Sequence, residues 1–178
     1  MEPLIILDRD GVINYDSDAY IRSPEEWRPL PGSLEGVAAL TAAGFRIVVA
    51  SNQSGIGRGL FSEADLAAIH AKMTRAVEAA GGALAGVYHC PHRPEDGCEC
   101  RKPLPGLLRR IARDFRRPLD GVALIGDKAS DVDAARAVNA RPMLVLTGRG
   151  SETARRLGAS VETYADLQAA VQHLLAAR

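Results

Sequence analysis

Leu4-Ile5-Ile6-Leu7-Asp8-Arg9-Asp10-Gly11-Val12-Ile13-Asn14 decides how this 178-residue chain is read. Four consecutive apolar residues form a short strand buried on both faces. The run then breaks off into two aspartates spaced i, i+2 and a glycine. In open α/β sheets ligands bind beyond the carboxyl ends of the strands, so the two acids mark a ligand end. Residues i and i+2 of a strand share a face, which directs Asp8 and Asp10 into one crevice. Two carboxylates that close resist joint ionisation. A divalent cation offsets the repulsion, and hard oxygen ligands suit magnesium. A lone Asp-x-Asp would otherwise read as a polar strand end capping a turn.

The pattern recurs, which decides against that bland reading. Phe45 to Ala50 is a second buried strand and runs into Ser51-Asn52-Gln53-Ser54-Gly55-Ile56-Gly57-Arg58-Gly59. Val122 to Ile125 is a third, ending in Gly126-Asp127-Lys128. Between them, Tyr15 to Leu30 carries prolines without periodicity and reads as a loop over the mouth of the site. Ser33 is the expected N-cap of a helix whose stripe is Leu34, Val37, Ala38 and Leu40. Ser62 opens a long helix to about Ala80, and Ala85 to His89 is a short strand. Leu107, Leu108, Ile111 and Phe115 mark a further helix, Asp131 to Asn139 another, and Met143 to Leu146 a strand. A short helix, a weak strand near Ser160-Val161 and a terminal helix complete the chain. Alternating strands and helices predict a parallel sheet covered on both faces, a three-layer α/β sandwich.

Length favours one domain over residues 1–178. The chain is 47% hydrophobic and 25% charged, ordinary for a soluble globular protein. Lys plus Arg equals Asp plus Glu at 22 each, so no net field recruits nucleic acid or an anionic membrane. An aromatic fraction of 4% also argues against a base-stacking surface. No run reaches transmembrane length and no signal-like segment opens the chain, so a cytoplasmic monomer is expected.

A carboxylate such as Asp8 can attack phosphorus and form an aspartyl-phosphate. Asp10 can protonate the leaving oxygen and later activate water. Ser51 and Asn52 offer a hydroxyl and an amide to phosphate oxygens, and Lys102 a compact positive charge. Asp127 would complete a magnesium shell. Alone, each has a dull explanation as a turn, a solvated lysine or a loop. Jointly, all fall at or just past predicted strand ends. A separate cluster, Cys90, His92, Cys98 and Cys100, holds every cysteine of the chain. Three thiolates and one imidazole make a closed tetrahedral zinc set, structural rather than catalytic. His89 is a rival imidazole.

The order Asp-x-Asp-Gly, Ser-Asn-Gln, Lys-Pro, Gly-Asp-Lys-x-x-Asp resembles the haloacid dehalogenase-like phosphatases over residues 4–148. The resemblance implies Asp8 as nucleophile, Asp10 as general acid/base, and Ser51 and Lys102 as phosphoryl-stabilising groups. It implies magnesium held by Asp8, the Asp10 backbone carbonyl and Asp127. Asp131 matches a recurrent acidic position, though an N-cap role is open. The zinc loop before Arg101-Lys102-Pro103 is similar to the subgroup of heptose 1,7-bisphosphate 7-phosphatases and histidinol-phosphate phosphatases. Asn52-Gln53-Ser54-Gly55 with Arg58-Gly59 looks like the heptose type, and the short spacer from His92 to Cys98 like the histidinol type. By this resemblance Gln53, Ser54, Arg58 and Arg101 contact substrate, the two arginines suiting a second phosphate. Asp16 to Tyr20 aligns with a sugar-contacting region, and Lys128 with a position near phosphate and metal.

The expectation is therefore a magnesium-dependent sugar-bisphosphate phosphatase with a minimal cap, a structural zinc loop over residues 90–100 and a role in heptose supply for lipopolysaccharide. Histidinol-phosphate hydrolysis and a zinc-stabilised binding module without turnover are the alternatives.

Overall fold

The computed structural model describes residues 2–177; Met1 and Arg178 of the expected 1–178 domain lie outside them. Six parallel strands form one sheet in the order β3-β2-β1-β4-β5-β6. β1 (Leu4–Leu7) lies between β2 (Arg46–Asn52) and β4 (Ala123–Gly126). β3 (Gly86–Cys90) flanks β2, while β5 (Arg141–Val145) and β6 (Glu162–Tyr164) extend the other side.

Strand alternation sorts the core into two faces. Ile5 and Leu7 pack with Ile47, Val49 and Ile125 against α1 (Ser33–Ala42), α3 (Glu63–Ala79) and α7 (Leu167–Ala176). Leu4 and Ile6 pack with Val48, Ala50 and Leu124 against α4 (Gly106–Asp114) and α5 (Ala129–Arg136). α6 (Gly150–Leu157) packs beside β5 through Ala154, Leu157 and Leu144. Both faces of β1 are thus covered, as its unbroken apolar run requires.

The chain builds outward from β1 through β2 to β3, then returns through α4 to β4 on the other side of β1. The winding reverses between β1 and β4, and the crevice of a doubly wound sheet opens at such a reversal. Asp8 follows β1 and Asp127 follows β4, so topology alone sets these acids side by side.

Some local expectations change. Ser33 is the first residue of α1 rather than its cap; its hydroxyl donates to Ile13 O at 2.6 Å and Leu30 O at 2.8 Å, pinning the loop base. β2 continues through Ser51 and Asn52, because β3 pairs with it that far. Ser54–Gly57, within the polar and glycine-containing segment after β2, forms a four-residue α2. The last strand begins at Glu162, two residues beyond Ser160. Ser62 opens α3 as expected, and its side chain forms a capping box with Asp65. Between β1 and α1 the chain makes a pinched loop. Tyr15 N–H donates to Arg28 O at 3.0 Å, and Lys72 of α3 donates to Pro24 O at 2.6 Å and Trp27 O at 3.0 Å.

Candidate active site and metal centres

Asp8, Asp10 and Asp127 gather at the carboxyl end of the sheet, but not through the strand pleat. β1 stops at Leu7. Val12 and Ile13 N–H both bond Arg9 O, at 3.3 and 2.8 Å, so the residues after Asp8 curl into a turn. Loop curvature, rather than the i, i+2 alternation of a strand, therefore places Asp10 in the crevice beside Asp8. Gly11 permits it, at φ +82°, and a Cβ there would lie 2.2 Å from Asp127 Oδ2. Gly148 faces the same atom, with its own would-be Cβ at 2.3 Å. Asp127 is held between two stretches of bare backbone.

Asp8, Asp127 and Asp131 bring one carboxylate oxygen each within 4.8 Å of the others. All three are buried. Burial, with Asp131 as the next contributor, pushes Asp8 up to about 6. Burial likewise pushes Asp127 up to about 7, Asp8 and Asp131 adding to it against Lys128. Asp127 Oδ1 has no hydrogen-bond partner among the described residues; Lys128 Nζ stands 3.4 Å away. An orphaned buried acceptor among crowded acids fits a divalent cation with oxygen ligands. Asp131 is the third residue of α5 rather than its N-cap. Its Oδ2 accepts from Lys128 N–H at 3.0 Å and its Oδ1 meets Lys102 Nζ at 2.6 Å.

Lys102 reaches the centre of this cluster, donating to Asp8 Oδ1 at 3.1 Å and Ala50 O at 2.7 Å. Burial disfavours its charge, but Asp131 and Asp8 outweigh burial and raise its pKa. Asn52 holds it there. The amide donates to Lys102 O at 2.9 Å and accepts from Lys102 N–H at 3.0 Å. Each end of the Asn52 amide thus makes one bond to the Lys102 main chain, while Asn52 itself also lines the cleft. Gln53 donates to Ser51 Oγ at 2.7 Å and to Asp10 Oδ2 at 3.1 Å, leaving the Ser51 hydroxyl proton free for an anion.

Asp10 is gripped from behind by Arg9, fully buried, whose Nε donates at 2.9 Å, and by Asn14 at 2.9 Å. Burial pushes Asp10 up, yet Arg9 and the hydrogen bonds from Asn14 and Gln53 leave it below the usual carboxylate range.

Asp8, Asp10, Ser51, Asn52, Gln53, Lys102 and Asp131 border a cavity of about 300 Å³. Asp16, Tyr20, Ser54, Arg101 and Lys128 also line it. Arg58 does not; it is exposed past α2, away from that lining. The sequence reading missed Arg149, which lines the cavity and donates its N–H to Asp127 Oδ2 at 2.8 Å. The only available signal was Gly148 before it, after a predicted strand.

Cys90, His92, Cys98 and Cys100 converge separately, their ligand atoms within 4.8 Å of one another. Cys90 and Cys98 sulfurs are 3.7 Å apart, and His92 Nδ1 is 3.2 Å from the Cys100 sulfur. His89 turns away to Glu63 at 2.9 Å.

The HAD-hydrolase-like family profile matches residues 99–170. A D-glycero-beta-D-manno-heptose-1,7-bisphosphate 7-phosphatase from Bordetella bronchiseptica is 51% identical over 174 residues, covering 97% of each chain. The Pseudomonas putida protein of that name is 53% identical over 150 residues, 84% of this chain and 86% of its own. The crystal structure of D,D-heptose 1,7-bisphosphate phosphatase from B. bronchiseptica, complexed with magnesium and phosphate, superposes with a TM-score of 0.96 at 49% identity, covering 99% of both chains. The Burkholderia thailandensis enzyme gives a TM-score of 0.78 at 41% identity, covering 98% of this chain and 99% of its own. This chain belongs to the D-glycero-beta-D-manno-heptose-1,7-bisphosphate 7-phosphatase family, within the haloacid dehalogenase-like hydrolases.

Proposed function

We propose that the chain is a magnesium-dependent phosphatase removing the 7-phosphate of D-glycero-β-D-manno-heptose 1,7-bisphosphate, with residues 1–178 acting as one domain. The observation that carries this reading is Lys102 Nζ set 3.1 Å from Asp8 Oδ1 inside a buried acid cluster, at the floor of a cavity rimmed by Arg101 and Lys128. Asp8 attacks phosphorus, the ester bond breaks, and the sugar oxygen takes a proton from Asp10. Water then attacks the aspartyl-phosphate, Asp10 takes its proton, and phosphate leaves. Arg9 keeps Asp10 as a carboxylate suited to the second step; the incoming phosphate dianion favours its protonation for the first. Ser51 and Lys102 bind the equatorial oxygens.

Asp8, Asp127 and the Asp10 carbonyl would hold magnesium, which neutralises phosphoryl charge and orients the group for in-line attack. Cys90, His92, Cys98 and Cys100 would hold a structural zinc that fixes the segment leading into Arg101 and Lys102.

The test is hydrolysis by purified protein with magnesium of heptose 1,7-bisphosphate and histidinol phosphate side by side. The bisphosphate is expected to win by more than about tenfold in kcat/KM, and Asp8→Asn to lose at least about a thousandfold. A preference for histidinol phosphate, or an active Asp8→Asn variant, defeats the proposal.

A further inference from the structure

Two ion pairs close the rim of the cavity, and the chemistry above uses neither. Lys128 Nζ meets Asp16 Oδ2 at 3.1 Å, and the Arg149 guanidinium pairs with Asp18. Both acids belong to the loop after β1, and both cations follow strands β4 and β5.

Arg149 does a different job at each end. Its N–H fixes Asp127, so its Cα is anchored beside the acid cluster, while its guanidinium extends to the rim. It also stands between the main cavity and a second hollow of about 320 Å³, which shares Lys128, Ser130 and Arg149 and adds Arg156. Arg101 approaches from the segment after β3, on one flank of the nucleophile, and Arg149 from the β5 flank. A phosphate held at Arg149 would therefore lie to one side of Asp8, on the lining of the same cavity.

The Asp18 pair is a weak hold. The two side chains are 49% and 86% exposed, so solvent and salt screen them. A phosphate dianion offers the planar guanidinium a bidentate partner of higher charge.

We propose that Arg149 is the specificity-determining cation for the phosphate that is not hydrolysed, leaving Asp18 to clasp the distal phosphate of a bisphosphate ester. With a monophosphate bound, Asp18 keeps Arg149. This rests on the phosphatase reading and names the residue that selects bisphosphates over monophosphates.

The test compares kinetics on heptose 1,7-bisphosphate and heptose 7-phosphate, which share the reacting group. Arg149→Ala should lower kcat/KM for the bisphosphate about 10- to 100-fold, through KM, and leave the 7-phosphate within about threefold. Arg149→Lys should recover only part, lacking the fork. Asp18→Asn should raise bisphosphate kcat/KM roughly two- to fivefold at low ionic strength, the gain vanishing at high salt. Equal losses on both esters would mean that Arg149 acts through Asp127, and would overturn the inference. So would an Asp18→Asn variant that loses bisphosphate turnover. Wild-type protein inactive on both esters would instead defeat the phosphatase reading itself.

Discussion

His70 on α3 is partly buried, and its Nε2 has no hydrogen-bond partner among the described residues. Burial first, then the charges of Arg9 and His89, depress its pKa from 6.5 to about 3. Between those values the unfolded chain binds the extra proton, so the stability present above the unfolded value is lost as pH falls toward about 3. Asp8 and Asp127, raised by burial, act oppositely over part of that range, so the informative comparison is variant against wild type. His70→Gln should flatten the decline of Tm between about pH 6.5 and about pH 4. An equally steep decline would refute this. At this scale the sequence exposes residues whose place follows from a strand end, such as Asp8, Ser51 and Asp127. It hides partnerships across long separations. The Asn52 amide meets Lys102 fifty residues away, and nothing near Asn52 announces it. Arg9, between the two acids, is likewise fully buried against Asp10.

Among the elements, the segment from Cys90 to Lys102 joins the metal-ligand cluster to the cleft. Gln53 N–H donates to Cys90 O at 2.8 Å, and Gly57 N–H to Pro91 O at 2.9 Å, so β2 and α2 brace the start of that segment. Its end carries Lys102, two residues after Cys100. Mass spectrometry of native protein should find one zinc per chain, and Cys98→Ser or chelation should lower Tm by on the order of 5 °C with a loss of kcat. Protein that binds no zinc, or a Cys98→Ser variant with unchanged Tm and kcat, would refute the clamp. Strands and long helices were legible here because two-sided burial leaves continuous apolar runs and α3 carries a complete capping box. The four-residue α2 was not, since glycines at Gly55 and Gly57 disfavour helix. They are there for space: a Cβ on Gly55 would meet the Phe61 ring at 2.1 Å, and one on Gly57 would meet Pro91 O at 2.8 Å.

Across the whole molecule, chemistry occupies one end of the sheet and packing the rest. Leu40, fully buried on α1, belongs to the core cluster with Val37 and Ile47 and does not line the cleft. Leu40→Ala should cost about 2–5 kcal/mol in urea unfolding, through lost burial and the cavity left behind. Its kcat should stay within about twofold once folded protein is counted; a large fall would mean that core and cleft are coupled. Fold class was readable from alternation alone, while strand order was not, because no local pattern records that the chain returns past β1 after β3. Asp127, walled by Gly11 and Gly148, has one further consequence. The acid beneath the cleft is in place before any guest arrives, whereas the rim above it rests on surface charge alone. Descendants of this chain could trade one sugar for another by editing Asp16, Asp18 or Arg149, and leave the machinery below untouched.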